Sequence, residues 1–68
     1  MRISYDRDED IMTIELHPSV PIDHAEHVGS LILHLSPDDT PVLLEILHAS
    51  EFLSYLVRAS MRAEPVTV

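Results

Sequence analysis

Asp6, Asp8 and Asp10 alternate in the way that opens a calcium loop. Such a loop needs glycine at its sixth position for the sharp turn and glutamate at its twelfth as a bidentate ligand. Counted from Asp6, the sixth residue is Ile11 and the twelfth is not glutamate, so the triplet reads as a solvated hairpin tip. His24 and His27, beside Asp23 and Glu26, form a second candidate, two imidazoles that could converge on zinc. Further ligands at a fixed spacing are missing, so no metal is expected there. His34 lies inside one apolar run and Glu45 inside another. If the register sets them across from each other, they have the makings of an acid–base dyad, or of two polar side chains satisfying one another on a sheet. No serine stands in a nucleophile-elbow context, and a single glycine leaves no phosphate-cradling loop. With no cysteine, thiol catalysis, thiolate metal sites and disulfides are excluded. No catalytic residue and no cofactor are expected, and the chain reads as a non-enzyme.

The elements that must position these residues fit in one domain, because 68 residues leave no room for a second core. A chain this short buries only about 60% of its unfolded surface. One core of that size supplies roughly 3–5 kcal/mol, so such domains commonly add disulfides, metals or a partner subunit. Twelve acidic side chains face four arginines and no lysine, for a formal net charge of −8. That surface repels phosphate backbones, so the isolated domain is not expected to bind nucleic acid. It suits a dissolved protein, or one that docks a basic partner. Apolar runs are far shorter than the ~20 residues that cross a bilayer. The opening Met1-Arg2-Ile3-Ser4-Tyr5-Asp6 runs straight into charge, unlike a signal peptide, so no membrane association and a cytoplasmic home are expected.

Period-two alternation of Ile3 and Tyr5, then of Met12, Ile14 and Leu16, around the acidic tip predicts a β-hairpin over 2–16. Pro18 and Pro21 interrupt a linker over 17–29 that includes a short polar edge strand, and Gly29 marks a turn or bulge. A second hairpin over 30–48 joins Leu31–Leu35 to Val42–Leu47 through Ser36-Pro37-Asp38-Asp39-Thr40-Pro41. Its strands are apolar on both faces: Leu31, Leu33, Leu35, Val42, Leu44 and Ile46 against Ile32, Leu43 and Leu47. That pattern belongs to central strands covered on two sides. A helix over 50–63 follows, with Ser50 as N-cap, Glu51 in the first turn and Arg58 and Arg62 towards the other end. Phe52, Leu53, Leu56, Val57 and Met61 form its apolar stripe, and Pro65 stops it before a loose tail, Val66-Thr67-Val68.

The two most patterned stretches resemble the family of domains of unknown function numbered 2283. Its opening Y-D-x-x-x-D-x-x-x-I pattern is matched by Tyr5, Asp6, Asp10 and Ile14. Its G-I-E-I-L-D-A-S motif is matched by Glu45, Ile46, Leu47, Ala49 and Ser50. This chain departs from the pattern at Leu43 and His48, where the family often has glycine and aspartate. It also replaces the family's D-x-D-G hairpin with Ser36-Pro37-Asp38-Asp39-Thr40. The family has no established catalytic residues, so the resemblance assigns none here. Some members look like antitoxin partners of small basic toxins.

The expectation is therefore an α+β fold, a small antiparallel sheet of about four strands with one C-terminal helix packed on a face. Its core should hold Leu33, Leu44, Ile46, Phe52, Leu53 and Leu56. The expected role is a protein-interaction module, with an antitoxin covering a basic toxin as one form of it. A small-ligand or metal-binding domain using the histidines is the alternative. More apolar surface is present than one chain can cover, so a homodimer is expected, burying Ile32, Leu43 and Leu47 or the helix around Val57 and Met61. Leu43, Leu47, Leu56, Val57 and Met61 are the candidate interaction residues.

Overall fold

The computed structural model of the chain describes residues 1–61. The elements follow as β1 (Arg2–Asp6), β2 (Ile11–Glu15), β3 (His24–Val28), β4 (Leu31–Leu35), β5 (Pro41–Leu47) and α1 (Ala49–Met61). All five strands join one sheet in the order β1-β2-β5-β4-β3, with every neighbouring pair antiparallel. This is the expected α+β arrangement with one more strand. The additional member is β3, the polar edge strand of the linker, which pairs along its whole length with β4.

Three of the four left-handed residues lie in the turns that join strands. In the first hairpin the Asp6 carboxylate accepts the backbone N–H groups of Asp8 (3.0 Å) and Glu9 (3.2 Å), and Asp10 returns the chain at φ 56°. Aspartate tolerates that conformation better than most residues. Gly29, at φ 57°, opens the two-residue turn between β3 and β4, a position that a primed hairpin turn reserves for such φ values. Asp39, at φ 63°, turns the chain between β4 and β5. There Ser36, only 1% exposed, accepts the Thr40 N–H at 3.0 Å and donates its hydroxyl to Asp38.

A bulge follows that turn: Leu35 pairs with Pro41 and His34 with Leu43, leaving Val42 as the extra residue. The Val42 carbonyl is thereby free to accept Leu16 N–H (2.8 Å) and His17 N–H (3.1 Å), while Leu35 O accepts Asp23 N–H (2.8 Å). The crossing from β2 to the far edge of the sheet is thus fastened at both ends to the strands it passes. Pro18 and Pro21 fit inside it because those positions have no ladder to supply.

Cross-strand pairing sorts the side chains into two faces. Met12, Ile14, Leu31, Leu33, Leu44 and Ile46 share one, joined by Leu35 and, by alternation, Val42. The three strand residues that reach burial, Leu35 (5%), Val42 (4%) and Ile46 (5%), all belong to it, and none on the opposite face does. The covered face is therefore the one under α1. The helix meets it with Ala49, Phe52, Leu56 and Ala59, the two alanines buried and the larger pair half-buried.

This stripe is narrower than the expected one, keeping Phe52 and Leu56 but not Leu53, Val57 or Met61. Leu53 (40% exposed), Val57 (58%) and Met61 (82%) face away from the sheet, so Leu53 is not a core residue. Of the other expected core positions Ile46 is buried, and Leu33, Leu44, Phe52 and Leu56 are half-buried. Arg58 lies in the last described turn. Arg62, the helix end expected at 63, Pro65 and the tail lie outside the described residues.

Candidate functional site

The two motif-bearing segments meet at one corner, where β2 begins and α1 starts. The Asp10 carboxylate accepts the Tyr5 hydroxyl (2.6 Å) and the Ser50 N–H (3.0 Å) on Oδ1, and the Ser50 hydroxyl (2.6 Å) on Oδ2. Its backbone carbonyl accepts the Ala49 N–H (3.0 Å). A helix leaves its first N–H groups without partners, and a side chain just before the helix usually supplies them. Here the cap comes from a residue 40 positions away from Ser50. Ser50 is not the N-cap: the helix begins one residue earlier, His48 O accepts the Glu51 and Phe52 N–H groups, and the Ser50 hydroxyl donates. The donors from Ser50 and then Tyr5 hold the Asp10 carboxyl below the usual carboxylate range. Bonding to that anion raises the Tyr5 phenol above its ordinary value. An anion saturated in this way is a fastener rather than a proton acceptor poised near neutrality. His48, where the family often has aspartate, connects β5 to the helix at φ 52°.

The histidine pair expected as a metal candidate does not converge. Three residues apart on an extended strand, His24 and His27 point to opposite faces of β3. Among the described residues no group of three His, Cys, Asp or Glu side chains could hold a metal ion. His24 is engaged otherwise: Nδ1 lies 2.8 Å from Asp23 Oδ2 and Nε2 lies 2.8 Å from Asp39 Oδ1. A neutral imidazole has one donor and one acceptor, and both partners here are acceptors, so the arrangement is that of the cation. Its pKa is raised, chiefly by the Asp23 hydrogen bond and further by Asp39. The contact clips edge strand β3 to the β4–β5 turn.

His34 and Glu45 do meet, on the uncovered face of the sheet. They are not directly opposite: His34 pairs with Leu43 and Ile32 with Glu45, so the pair is diagonal. His34 Nε2 bonds Glu45 Oε1, and both side chains are half-buried. Around them on this face lie Ile11, Thr13, Ile32, Leu43 and Leu47. The candidate interaction residues thus divide between two surfaces, Leu43 and Leu47 on the open sheet face and Val57 and Met61 on the outer side of α1, while Leu56 faces the sheet.

Sequence reasoning missed that Asp10 caps the distant helix and that Asp39 completes the His24 clasp. The only sequence signal for the first is that Tyr5, Asp10, Ala49 and Ser50 belong to the two halves of one family pattern. Residues that touch each other account for why both halves occur together. No curated protein and no solved structure matches the chain. A family model described as a protein of unknown function, DUF2283, matches residues 2–50, which include every residue of the Tyr5–Asp10–Ser50 junction, and the chain belongs to that family.

Proposed function

We propose that the chain is a non-catalytic protein-interaction module. The observation that carries this is how little of its apolar content the fold hides. Leu35, Val42, Ile46, Ala49 and Ala59 are the hydrophobic residues reaching burial among those described, and two are alanines. A row of Leu53, Val57 and Met61, each four residues after the last, stands exposed along α1. Exposed apolar rows rimmed by charge are a common mark of protein-binding surfaces.

Electrostatics favours a basic partner, drawn by the acidic tips of the sheet. The hairpin tip with Asp8 and Glu9 and the turn with Asp38 and Asp39 lie at opposite ends of the strands, since Asp6 and Leu47 share one end of the sheet and Leu35 and Pro41 the other. A single basic protein reaching both would span the sheet's ~17 Å strand length. Complementary charge would speed its encounter, and the exposed helix row would supply the anchors. A small basic toxin is the partner class that the antitoxin-like family members suggest. The experiment is co-expression with the adjacent gene product. Co-purification that is lost in the Leu53→Asp/Val57→Asp variant supports the proposal. Absence of co-purification, or a complex that the variant leaves intact, refutes it.

A further inference from the structure

We propose that β1 pairs edge to edge with β1 of a second copy of this chain, antiparallel and centred on Ser4. This rim of the sheet is separate from the helix row, and its pairing does not rest on the basic partner proposed above.

β1 is an outer strand, and no other strand among the described residues lies beyond it. All five of its residues are exposed, Ile3 at 57% and Tyr5 at 47%. Leu16 N–H reaches Val42 O on β5, so by alternation Ile14 and Met12 also turn their backbone groups towards β5. Ile11, Thr13 and Glu15 then turn theirs towards β1, where Asp6, Ser4 and Arg2 meet them. The N–H and C=O groups of Ile3 and Tyr5 are left pointing outward from the sheet. Natural edge strands are commonly blunted by proline, lysine or a bulge, and β1 has none of these.

The strand itself selects the occupant, because Arg2-Ile3-Ser4-Tyr5-Asp6 is complementary to its own reverse. In full antiparallel overlap about Ser4, Arg2 lies across from the partner's Asp6 and Ile3 across from the partner's Tyr5, each pair occurring twice by symmetry. Ile3 and the partner's Tyr5 exchange both backbone hydrogen bonds, which uses every outward group of the strand. Arg2 comes to stand between its own Glu15 and the partner's Asp6, and opposite charges facing across a strand pair stabilise it. On the helix-bearing face the cross-strand row Leu44, Ile14, Ile3 continues into the partner's Tyr5. An unrelated strand could bond the same backbone groups, but symmetry would not hand it both charge pairs.

Charge points to this rim rather than the other. Arg2 and Arg7 are two of the chain's four arginines, and over residues 1–7 they outnumber the single acid, Asp6. Asp8 and Glu9 lie past the paired stretch. Two copies of a chain with net charge −8 therefore meet where that charge is locally reversed. β3 in the same full overlap would set Glu26 against the partner's Glu26, and it contains no arginine. Edge pairing draws its affinity from main-chain hydrogen bonds more than from area, and one short strand stands at the weak end of specific contacts. The Kd should accordingly lie in the upper micromolar range.

Sedimentation equilibrium of the full chain from about 10 μM to about 1 mM tests this. We expect a monomer–dimer equilibrium in which the Ile3 and Tyr5 amide protons exchange more slowly as concentration rises. Ile3→Pro deletes an outward N–H without touching the β1–β2 ladder, and Arg2→Asp sets like charges opposite each other twice. Each should weaken the dimer by more than about tenfold. Arg2→Asp and Asp6→Arg should each be mainly monomeric alone and form a mixed dimer together, since each supplies the charge that the other lacks. Glu26→Lys on β3 should leave the equilibrium unchanged. The Asp6 carboxylate also holds the hairpin tip, so if Asp6→Arg fails to fold by circular dichroism, Ile3→Pro and Arg2→Asp decide the matter. A wild-type chain that stays monomeric throughout overturns the proposal. So does a dimer that survives either Ile3→Pro or Arg2→Asp, one that is lost in Glu26→Lys, or the failure of two folded charge variants to form the mixed dimer.

Discussion

Ile46→Ala should be close to the limit of what this fold tolerates. Ile46 is 5% exposed on the central strand, between Met12 and Leu31 and beneath α1. The substitution removes three carbons, worth about 2.4 kcal/mol of transfer free energy at ~0.8 kcal/mol each. The covering helix is tethered at Asp10 and closes the gap incompletely, so a cavity term brings the loss to roughly 3–4 kcal/mol. A single core of this size supplies roughly 3–5 kcal/mol in all, so the variant should be partly unfolded before denaturant is added. Urea titration followed by circular dichroism reads this directly, and at a slope of ~1 kcal/mol/M the midpoint should fall by about 3 M. Both proteins are titrated at the same concentration. Leu53→Ala is the internal control: at 40% exposure on the outer side of the helix it should cost under about 1 kcal/mol. If Leu53→Ala destabilises as much as Ile46→Ala, the helix presents a different stripe to the sheet and the core is misplaced.

The Asp10 junction predicts an acid limb. Its folded-state pKa lies below the ordinary carboxylate value, so its contribution is present above that value and is lost as pH falls through the depressed one. Asp10→Asn should flatten stability against pH in that range, and an unchanged profile would show that the junction does not hold the helix. The His24 clasp has the opposite sign. Its folded pKa is raised, so its contribution is complete below the ordinary imidazole value and disappears as pH rises through the raised one. Both partners are largely exposed, so the effect should be small, and the His24 ring resonances are the better readout: Asp39→Asn should move their titration midpoint back towards the ordinary value. A midpoint unaffected by Asp39→Asn would show that the clasp does not form in solution.

Local pattern determined much of the fold. Period-two alternation on both sides of the acidic tip specified the first hairpin. Two-faced apolar runs marked β4 and β5 as interior strands, and the presence of a helix just after β5 was legible although Ser50 proved not to be its N-cap. Sheet order was not legible, because β2 and β5 read alike as apolar strands and nothing in their spacing says that they are neighbours. Their pairing depends on β5 inserting between two hairpins while the chain crosses at one end of the sheet, tied to Val42 O and Leu35 O. The width of the helix stripe was misread for a related reason. Counting large apolar residues gave a stripe of Phe52, Leu53, Leu56, Val57 and Met61, of which Phe52 and Leu56 are half-buried while Leu53, Val57 and Met61 stand exposed, and the buried positions of the helix are Ala49 and Ala59. Asp10 shows the limit most clearly. Its residue type and φ suit a turn, which sequence supplies, but its work as a helix cap exists only once residues 40 positions apart are brought to one corner. Hydrogen-bond partners of that kind are set by the closed sheet and by no shorter stretch of chain.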